Sequence, residues 1–346
     1  MKTRTVMGFL LSALLLAACQ ASGPGGGAQR PTRTPGPPSV MIEPEGFFQR
    51  VHDPVIAKEN GKYYVYHTGS LIPFLCSPNM KVWEFCGRVF EKNPAWSSEI
   101  NPNLTDIWAP DISYFNDKWH LYYAVSSFGS QNSAIGLATN VTLDPNSPDY
   151  AWQDQGIVLR SRQGDQWNAI DANLVLDEQG EPWLAWGSFW QGLWMRKVDK
   201  ATGMFSEQDT QFHHLADRSA GPENTSAIEA PFIIQHDGMW YLFASFDACC
   251  RGVESTYNVR VGRSEKLTGP YVDREGVEMT KGGGTKILAE YGQWKGPGHN
   301  GILIEDGVVW MVYHAYDANQ IGVPKLRIES IEWDEEGWPR LASQQK

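Results

Sequence analysis

The stretch VHDPVIAKENGKYYVYHTG, residues 51–69, sets a pattern that organises most of the chain. An acidic residue and a proline lead into an apolar run, a polar turn and an aromatic-rich run. Asn60 and Gly61 tolerate a positive φ, so they favour a tight hairpin between two short strands. The stretch therefore predicts an antiparallel β-hairpin with Asp53 at its beginning.

The same pattern recurs four times, with turn residues about 55 to 70 residues apart, a spacing near that of propeller-type repeats. The further copies are APDISYFNDKWHLYYAVS from residue 109, DANLVLDEQGEPWLAWGS from 171, EAPFIIQHDGMWYLFAS from 229 and GHNGILIEDGVVWMVYHA from 298. Weaker strand patterns, such as residues 133–139 and 259–264, lie between the copies, so each repeat can supply about four strands. We expect an all-β fold, a five-bladed β-propeller closed radially so that few sheet edges are exposed.

The N-terminus has the features of an export signal, with basic residues followed by a short apolar run. That run ends in Leu-Ala-Ala-Cys at Cys19, which resembles a bacterial lipobox; the alternative is an ordinary cleavage site with a chance cysteine. We predict a lipoprotein signal at 1–19, a flexible Gly/Pro-rich tether at 20–42 and a catalytic propeller at 43–346. The expected location is the cell envelope (outer membrane or cell surface) or the exterior, with membrane contact through the lipid alone.

The composition argues against a nucleic-acid partner and is compatible with a sugar ligand. The net charge is −11 and no basic block stands out, which argues against nucleic-acid binding, because neutralising phosphates requires clustered Lys and Arg. The 15 Trp and 13 Tyr fit packing between sheets or a sugar-binding cleft. Since most of them lie in the strand repeats, we assign the majority to the core.

The five cysteines allow more than one arrangement. Cys76 and Cys86, across a predicted hairpin, could form a disulfide in an exported protein. Cys249 and Cys250 are adjacent, and we expect two thiols, with a vicinal disulfide as the alternative. No Cys/His spacing resembles a zinc site.

The innermost strand of each propeller blade begins near the central axis, so its first residues should converge there. In this chain they are Asp53, Ala109 to Asp111, Asp171, Glu229 and His299. A single acid at a strand start is more often a turn cap than a catalyst. Three carboxylates at corresponding positions favour a catalytic role, while Asp111, two residues deeper, could be structural.

Two carboxylates that flank a bond can hydrolyse a glycoside when one is protonated and donates to the leaving oxygen while the other is ionised and activates water. A third acid beside the donor helps to raise the donor's pKa by like-charge repulsion. Asp53, Asp171 and Glu229 offer such a set.

The motifs His52-Asp53-Pro54, Trp108-Ala109-Pro110-Asp111, Asn168 to Ala172, Ile228 to Pro231 and Gly298-His299-Asn300 resemble glycoside hydrolase family 43. Within that family the chain is most similar to the endo-α-1,5-L-arabinanases, and the stretch from Ser245 to Tyr257 carries the same likeness. The resemblance covers residues 47 to 335. It implies an inverting mechanism with Asp53 as general base, Glu229 as general acid and Asp171 as the residue that tunes the pKa of Glu229.

The resemblance also implies a set of substrate contacts beside Asp53 and Asp171: Trp108, Gly129, Asn168, Ala169, Ile170, Ser188, Phe189 and Trp190. For Trp108, Phe189 and Trp190, packing between blades is the alternative. In similar enzymes a histidine at the position of His299 lies at a metal ion, usually taken as Ca²⁺. Calcium prefers oxygen ligands, so water or chloride beside this histidine is also conceivable.

The resulting expectation is a monomeric enzyme that cuts arabinan side chains of pectin internally. The nearest alternative is an exo-acting α-L-arabinofuranosidase or a β-xylosidase of the same family. Exo enzymes often carry an added C-terminal β-sandwich, and the chain ends soon after the fifth repeat, which favours endo action. A third hypothesis is a non-catalytic glycan-binding propeller, since a fold does not determine function.

Overall fold

A computed structural model describes Met1, residues 39–219 and residues 226–345. The predicted export signal, Cys19 and most of the predicted tether lie outside these residues. Within them, no helix has the length and apolar character needed to span a membrane.

The described residues form five sheets, antiparallel except for one short edge strand, arranged as a five-bladed β-propeller, which confirms the predicted fold class. Blade 1 contains, from the inner strand outward, β3 (Val55–Glu59), β4 (Lys62–Tyr66), β5 (Pro73–Ser77), β6 (Val82–Arg88) and β2 (Glu45–Gly46), the last of which runs parallel to β6. Blade 2 contains β7 (Trp108–Phe115), β8 (Lys118–Val125), β9 (Ser133–Asn140) and β10 (Gln153–Ser161). Blade 3 contains β11 (Asn173–Leu176), β12 (Pro182–Trp186), β13 (Leu193–Lys197) and β14 (His213–Ala216).

Blade 4 contains β15 (Ile228–His236), β16 (Met239–Phe246), β17 (Asn258–Ser264) and β18 (Thr285–Leu288). Blade 5 contains β19 (Trp294–Glu305), β20 (Val308–Asp317) and β21 (Val323–Trp333), and its outer edge is completed by β1 (Met41–Ile42) and β22 (Pro339–Leu341). The helices are short: α1 (Ser97–Ile100) and the 3₁₀ turns Gly252–Glu254, Met279–Lys281, Ala318–Gln320 and Ala342–Gln344.

The predicted hairpin turns join the two innermost strands of every blade. Four of the five are two-residue turns in which both residues have φ between 47° and 79°, the type I′ geometry that matches strand twist: Asn60-Gly61, Asn116-Asp117, Asp237-Gly238 and Asp306-Gly307. In blade 3 a longer loop replaces the tight turn, and the side chain of Asp177 accepts the N–H groups of Gln179 and Glu181.

Hydrophobic side chains fill the contacts between neighbouring blades. Among the described residues, five core clusters correspond to the five blade pairs. Successive residues of a strand point to opposite faces, so Ile233 packs toward blade 3 while Ile234 packs toward blade 5. Most large aromatics of the repeats belong to this core, as expected.

Acids near the outer ends of the hairpins connect neighbouring blades through hydrogen bonds. Glu59 accepts the indole N–H of Trp119 at 2.8 Å, and Glu178 accepts that of Trp240 at 3.1 Å. Glu305 accepts the hydroxyl of Tyr63 at 2.8 Å. We call these three hydrogen-bonded acids clamps. They lie near the hairpin turns, at the far ends of their inner strands, and join neighbouring blades there.

Every blade has one residue in the left-handed conformation, with φ between 43° and 57°, either shortly before its inner strand (Asp53 and Asp171) or within that strand (Ala109, Ala230 and His299). In blade 4 this residue is Ala230, so Glu229 corresponds to Trp108 and Gly298, one position earlier. Register shifts between Trp108 and Asp111, Glu229 and Phe232, and Gly298 and Gly301 support this alignment. The expectation that all three acids occupy equivalent positions is therefore wrong for Glu229.

The N-terminal segment bridges blades 5 and 1. Strand β1 pairs with β21, and β2 pairs with β6. Between them, both carboxylate oxygens of Glu43 accept the buried guanidinium of Arg327 at 2.8 Å. The folded part thus begins before residue 43, the predicted boundary.

Both cysteine pairs form disulfides. Cys76 bonds to Cys86 within blade 1, one of the arrangements that the sequence allowed. Cys249 bonds to its neighbour Cys250, so the expectation of two thiols is wrong and the vicinal disulfide is observed.

Candidate active site

A cleft of about 800 Å³ opens where the inner strands begin. It contains Asp53, Asp171, Glu229 and His299, which the sequence placed near the axis. Seven of the predicted sugar contacts also line it: Trp108, Gly129, Asn168, Ile170, Ser188, Phe189 and Trp190. Ala169 does not line the cleft, because its side chain is fully buried and its N–H donates to Ser161.

Asp53 lies at the centre of a group of histidines. Its Oδ1 is 2.8 Å from Nδ1 of His52 and 3.1 Å from Nδ1 of His299, and its Oδ2 accepts the hydroxyl of Thr68 at 2.6 Å. The backbone N–H of Asp53 donates to Nδ1 of the fully buried His314. Both carboxylate oxygens are therefore held by donors from several strands.

These contacts favour the charged form of Asp53. Burial alone would raise its pKa, but the neighbouring His52 and His299 hold the pKa well below the usual range. For His299, burial acts to lower the pKa, while the carboxylates of Asp53, Asp171 and Glu229 raise it to about 9. At neutral pH the two residues form an ion pair, in which Asp53 can accept a proton from a neighbouring molecule.

The pKa of Asp171 shifts in the opposite direction to that of Asp53. Burial raises its pKa well above the usual range; His299 lowers it, and the nearby Glu229 and Asp53 raise it further. Among its contacts is the backbone N–H of Ala230, which donates to its Oδ2 at 3.2 Å. In the free cleft, ionisation of Asp171 is therefore disfavoured, since one more negative charge is unfavourable there.

Glu229 is held at both carboxyl oxygens. Tyr257 donates its hydroxyl to Oε1 at 2.7 Å, and Ser188 donates to Oε2 at 2.7 Å. A backbone bridge between Ser188 and Glu229 fixes the neighbouring strand segments together. Two short hydrogen bonds leave the carboxyl group little freedom to rotate, so its direction toward the cleft is set before any ligand binds.

Asp111 has a structural role. Its side chain is buried and accepts both the side-chain amide of Asn173 at 3.1 Å and the N–H of Leu174 at 2.9 Å. Burial raises the pKa of Asp111 to about 7. It connects blade 2 to blade 3, as Asn173 connects blade 3 to blade 4 by accepting the N–H of Ile233.

Several residues of the site were not assigned a role from the sequence. Thr68, in the loop after the second strand of blade 1, and Tyr257, directly before the third strand of blade 4, contact the acids, while the repeat pattern marks the start of the first strand. Tyr257 fits because Gly298 has no side chain: a Cβ there would lie 2.1 Å from its ring. In the sequence, the glycine directly before His299 was the feature that could have indicated a close contact with an aromatic ring.

The described side chains do not supply the shell that calcium prefers. Calcium is bound by six to eight oxygens. Around His299 the first neighbour is Asp53, whose two oxygens are already bonded to His52, His299 and Thr68. His52, Asp53 and His314 form a group that could hold a metal ion, but two imidazoles and one carboxylate suit a transition metal better than calcium. The calcium ion stays a prediction, and no chemical step is assigned to it.

Comparison with known proteins connects this geometry to one class of enzyme. The family model for glycosyl hydrolases family 43 matches residues 47–339. The extracellular exo-α-(1→5)-L-arabinofuranosidase ArbA of Cellvibrio japonicus (strain Ueda107) is 41% identical over 84% of this chain and 86% of its own length. The extracellular endo-α-(1→5)-L-arabinanase 1 of Bacillus subtilis (strain 168) is 42% identical over 84% and 87%.

Solved structures give the same result. The Cellvibrio cellulosa α-L-arabinanase complexed with arabinohexaose superimposes with a TM-score of 0.80 and 39% identity. The match covers 84% of this chain and 95% of that one. The likeness therefore extends over all five blades and over the strand starts that form the cleft.

Proposed function

Because the chain belongs to glycosyl hydrolase family 43, we propose that it hydrolyses α-1,5-linked L-arabinan, the side chain of pectin, with inversion at the anomeric carbon. The observation that carries this proposal is one cleft with carboxyl groups in opposite environments. Asp53 is paired with cationic His299 and its pKa is held low, whereas burial raises the pKa of Asp171 well above its usual range. Such a division is what acid–base cleavage of a glycoside requires.

Asp53 acts as the general base. Its carboxylate takes a proton from a water molecule while the water oxygen forms a bond to the anomeric carbon. The contacts to His52, His299 and Thr68 hold the carboxylate and keep it charged before the reaction. They also make it a weak base, and the arriving proton therefore weakens the pairing with His299 during the step.

Glu229 acts as the general acid. Its proton goes to the oxygen of the departing sugar as the bond between that oxygen and the anomeric carbon breaks. Tyr257 and Ser188 hold the carboxyl group so that the proton meets the leaving oxygen. After the step Glu229 is ionised and Asp53 is protonated, and exchange with solvent restores both.

Asp171 modulates this pair. Its buried carboxyl, whose pKa is raised by burial and by the nearby Glu229 and Asp53, resists becoming a third negative charge beside them. This role depends on the burial of Asp171, whose side chain is almost inaccessible to solvent.

Aromatic side chains on blades 2 and 3 bind the sugar rings. Trp108, Phe189 and Trp190 line the cleft, and Phe128 beside Gly129 is 83% exposed at its margin. Flat rings at such positions stack on the apolar faces of furanose rings. Asn168 and Ile170, also in the lining, face the sugar next to Asp171.

Two modes of cleavage have support among the relatives. The B. subtilis relative is named an endo-arabinanase and the C. japonicus relative an exo-acting arabinofuranosidase, at nearly equal identity. We favour endo cleavage by a monomeric enzyme, with exo cleavage as the second candidate. Both relatives are named extracellular, which supports export of this chain, and the lipid anchor at Cys19 is part of the same proposal.

Incubation with debranched linear arabinan tests the mode of cleavage. We expect a mixture of short oligosaccharides from the polymer and no release from p-nitrophenyl arabinofuranoside. Arabinose as the sole product would favour the exo candidate. Proton NMR of the first product formed reports the anomer, and retention of configuration would contradict the inverting mechanism.

Glu229→Gln tests the assignment of the acid. We expect kcat on arabinan to fall by a factor of about 10² to 10⁴, the range for loss of a general acid. The matched control is Glu335→Gln, because Glu335 is exposed in a turn between β21 and β22. Unchanged activity of Glu229→Gln would overturn the catalytic assignment.

A further inference from the structure

The Cys249–Cys250 disulfide lies in the wall of the cleft, next to the proposed base. Both residues line the cavity. Sγ of Cys250 is 4.0 Å from Nε2 of His52, and Nδ1 of the same imidazole is 2.8 Å from Asp53. A disulfide of blade 4 thus contacts a residue of blade 1 that directly holds the carboxylate.

A chain of hydrogen bonds runs from the disulfide to Asp53. The backbone N–H of Cys250 donates to the hydroxyl oxygen of Tyr316 at 2.8 Å, and this hydroxyl is 2.7 Å from Nε2 of His52. Since the Tyr316 oxygen accepts from the Cys250 amide, its own proton can be donated to Nε2. His52 then carries its proton on Nδ1, facing Oδ1 of Asp53.

The direction of the Cys250 amide depends on the local backbone. Cys250 has a φ of 68°, in the left-handed region that residues with a side chain rarely adopt. The bond between neighbouring sulfur atoms closes a small ring that includes the peptide bond between the two residues. Without that ring the backbone at Cys250 is free to return to common φ values, and its N–H then turns away from Tyr316.

We infer that the Cys249–Cys250 disulfide, acting through Tyr316 and His52, is a positioning element for the general base, so that hydrolysis depends on its oxidised state. This inference rests on the proposed function, in which Asp53 is the base. The ring of His52 also stacks on that of His314, with ring centroids 3.8 Å apart, and this contact helps to hold the ring in place. The disulfide then sets the orientation and the tautomer of His52.

Reduction is chemically simple and the bond is accessible. Cys250 is exposed at the cleft and Cys249 is half-buried. A dithiol such as dithiothreitol breaks the S–S bond, passes two electrons and two protons to the cysteine sulfurs, and is itself oxidised to a cyclic disulfide. The products are two neighbouring thiols that no longer constrain the peptide between them.

The test compares the kinetics of four full-length proteins on linear arabinan, each with and without dithiothreitol. They are the wild type, Cys249→Ser/Cys250→Ser, Tyr316→Phe and the control Cys76→Ser/Cys86→Ser, whose disulfide lies outside the cleft lining. We expect kcat to fall about tenfold in Cys249→Ser/Cys250→Ser and in Tyr316→Phe, the effect of one lost hydrogen bond to the catalytic group. KM should change less than kcat in both variants.

Dithiothreitol should lower kcat of the wild type and of the Cys76→Ser/Cys86→Ser control by the same factor, and should leave the Cys249→Ser/Cys250→Ser variant unchanged. Because the same reduction is made on folded wild-type protein, a variant that fails to fold does not decide the result. Combining Tyr316→Phe with Cys249→Ser/Cys250→Ser should add little, since both interrupt one chain of contacts.

Two outcomes would overturn the inference in distinguishable ways. An active wild type whose kcat is unaffected by reduction, or whose KM alone increases, would exclude the positioning role while leaving the proposed function intact. A wild type that does not hydrolyse arabinan, or an Asp53→Asn variant with normal kcat, would overturn the proposed function and this inference with it.

Discussion

Asp53 and Asp171 occupy the same position in their blades and have the same left-handed backbone. Their pKa values nevertheless shift in opposite directions, down for Asp53 and up for Asp171. The difference arises from their neighbours. Asp53 receives donors from His52, His299 and Thr68, whereas the Oδ2 of Asp171 accepts from a backbone amide. At the residue scale the chemistry is therefore decided by side chains from other strands.

His299→Gln should destabilise the protein in a pH-dependent way. The folded pKa of His299, about 9, lies above its ordinary value of 6.5, so its stabilising contribution is fully present below about pH 6.5 and is lost as the pH rises through about 9. Asp53 has a depressed pKa, so its part persists down to acidic pH. We expect a cost of about 2 kcal/mol near pH 6 that shrinks toward pH 10, measured by denaturant unfolding.

His120→Gln provides a control of opposite sign. Burial lowers the pKa of His120 to about 4, so the unfolded chain binds the proton more readily and wild-type stability falls as the pH drops below about 6.5. The cost of His120→Gln should therefore be smaller at acidic pH. Equal costs of His299→Gln at about pH 6 and about pH 10 would contradict the ion pair with Asp53.

Tyr257→Phe should lower kcat on arabinan while the fold is retained. The change removes the hydroxyl that donates to Oε1 of Glu229, and we expect a loss of about tenfold, typical of one hydrogen bond to an ionisable group. Steady-state kinetics with a thermal unfolding scan make the measurement. Tyr123→Phe is the control, since its hydroxyl binds Asp154 outside the cleft lining and its loss should affect stability alone.

At the element scale, the inner strands of blades 1, 2, 4 and 5 combine a tight turn at one end with a left-handed residue toward the other, and blade 3 has a longer loop in place of the turn. The turns were predictable because Asn-Gly and Asp-Gly pairs have few alternatives between two apolar runs. The register at the strand start was not, because Ile228-Glu229-Ala230-Pro231 and Trp108-Ala109-Pro110-Asp111 can be aligned in two ways. The backbone places Glu229 one position before Asp53 and Asp171, and its side chain consequently leaves a different point of the strand.

The sequence predicted the three acids and most of the cleft lining, but not how they are held. Thr68 lies in the loop after β4 and Tyr257 directly before β17, and a contact from such a loop to the inner strand of the same blade has no fixed spacing in sequence. The thiol state of Cys249 and Cys250 was misjudged for a similar reason. Adjacent cysteines rarely bond, and the conformation of the loop that permits it is set by tertiary contacts.

Glu59→Ala should destabilise the contact between blades 1 and 2. Its carboxylate accepts the indole N–H of Trp119, the hydroxyl of Thr142 and the N–H of Leu143. Losing an acceptor shared by three donors should cost about 2–3 kcal/mol in the free energy of unfolding. Glu335→Ala, an exposed acid without these contacts, should change it by less than about 0.5 kcal/mol, and kcat should be unaffected in both. A cost for Glu59→Ala no larger than for Glu335→Ala would contradict the clamp.

At the scale of the whole molecule, the propeller is a ring of five similar sheets whose closure depends on pairing at blade 5. Strands β1 and β22 both pair with the outer edge of β21, and β2 continues the N-terminal segment onto blade 1. The ring was predictable from the repeat number. The role of residues 41–46 was not, because two strands of two residues each have too little pattern to be recognised.

Truncation at two points tests this closure. A chain that starts at residue 39 keeps β1, Glu43 and β2, and should unfold as the full chain does. A chain that starts at residue 47 leaves the guanidinium of Arg327, which is 1% exposed, without its carboxylate partner. We expect a loss of about 2–3 kcal/mol, seen as a lower Tm by calorimetry. Equal Tm values for the two truncated chains would show that the segment does not close the ring.

The pairing of β1 and β22 with β21 places the first and last strands of the fold next to each other on one edge. Read along that strand, its partners are Ile42 and Met41 opposite residues 328 and 329, then Leu341, Arg340 and Pro339 opposite residues 331 to 333. The two edge strands run in the same direction end to end, so that residue 341 leads toward residue 41. A short linker could join them, and the chain could be cut instead at the loop after Asp177. Such a circular permutant would keep the strand pairing of every blade while starting its synthesis in a different blade.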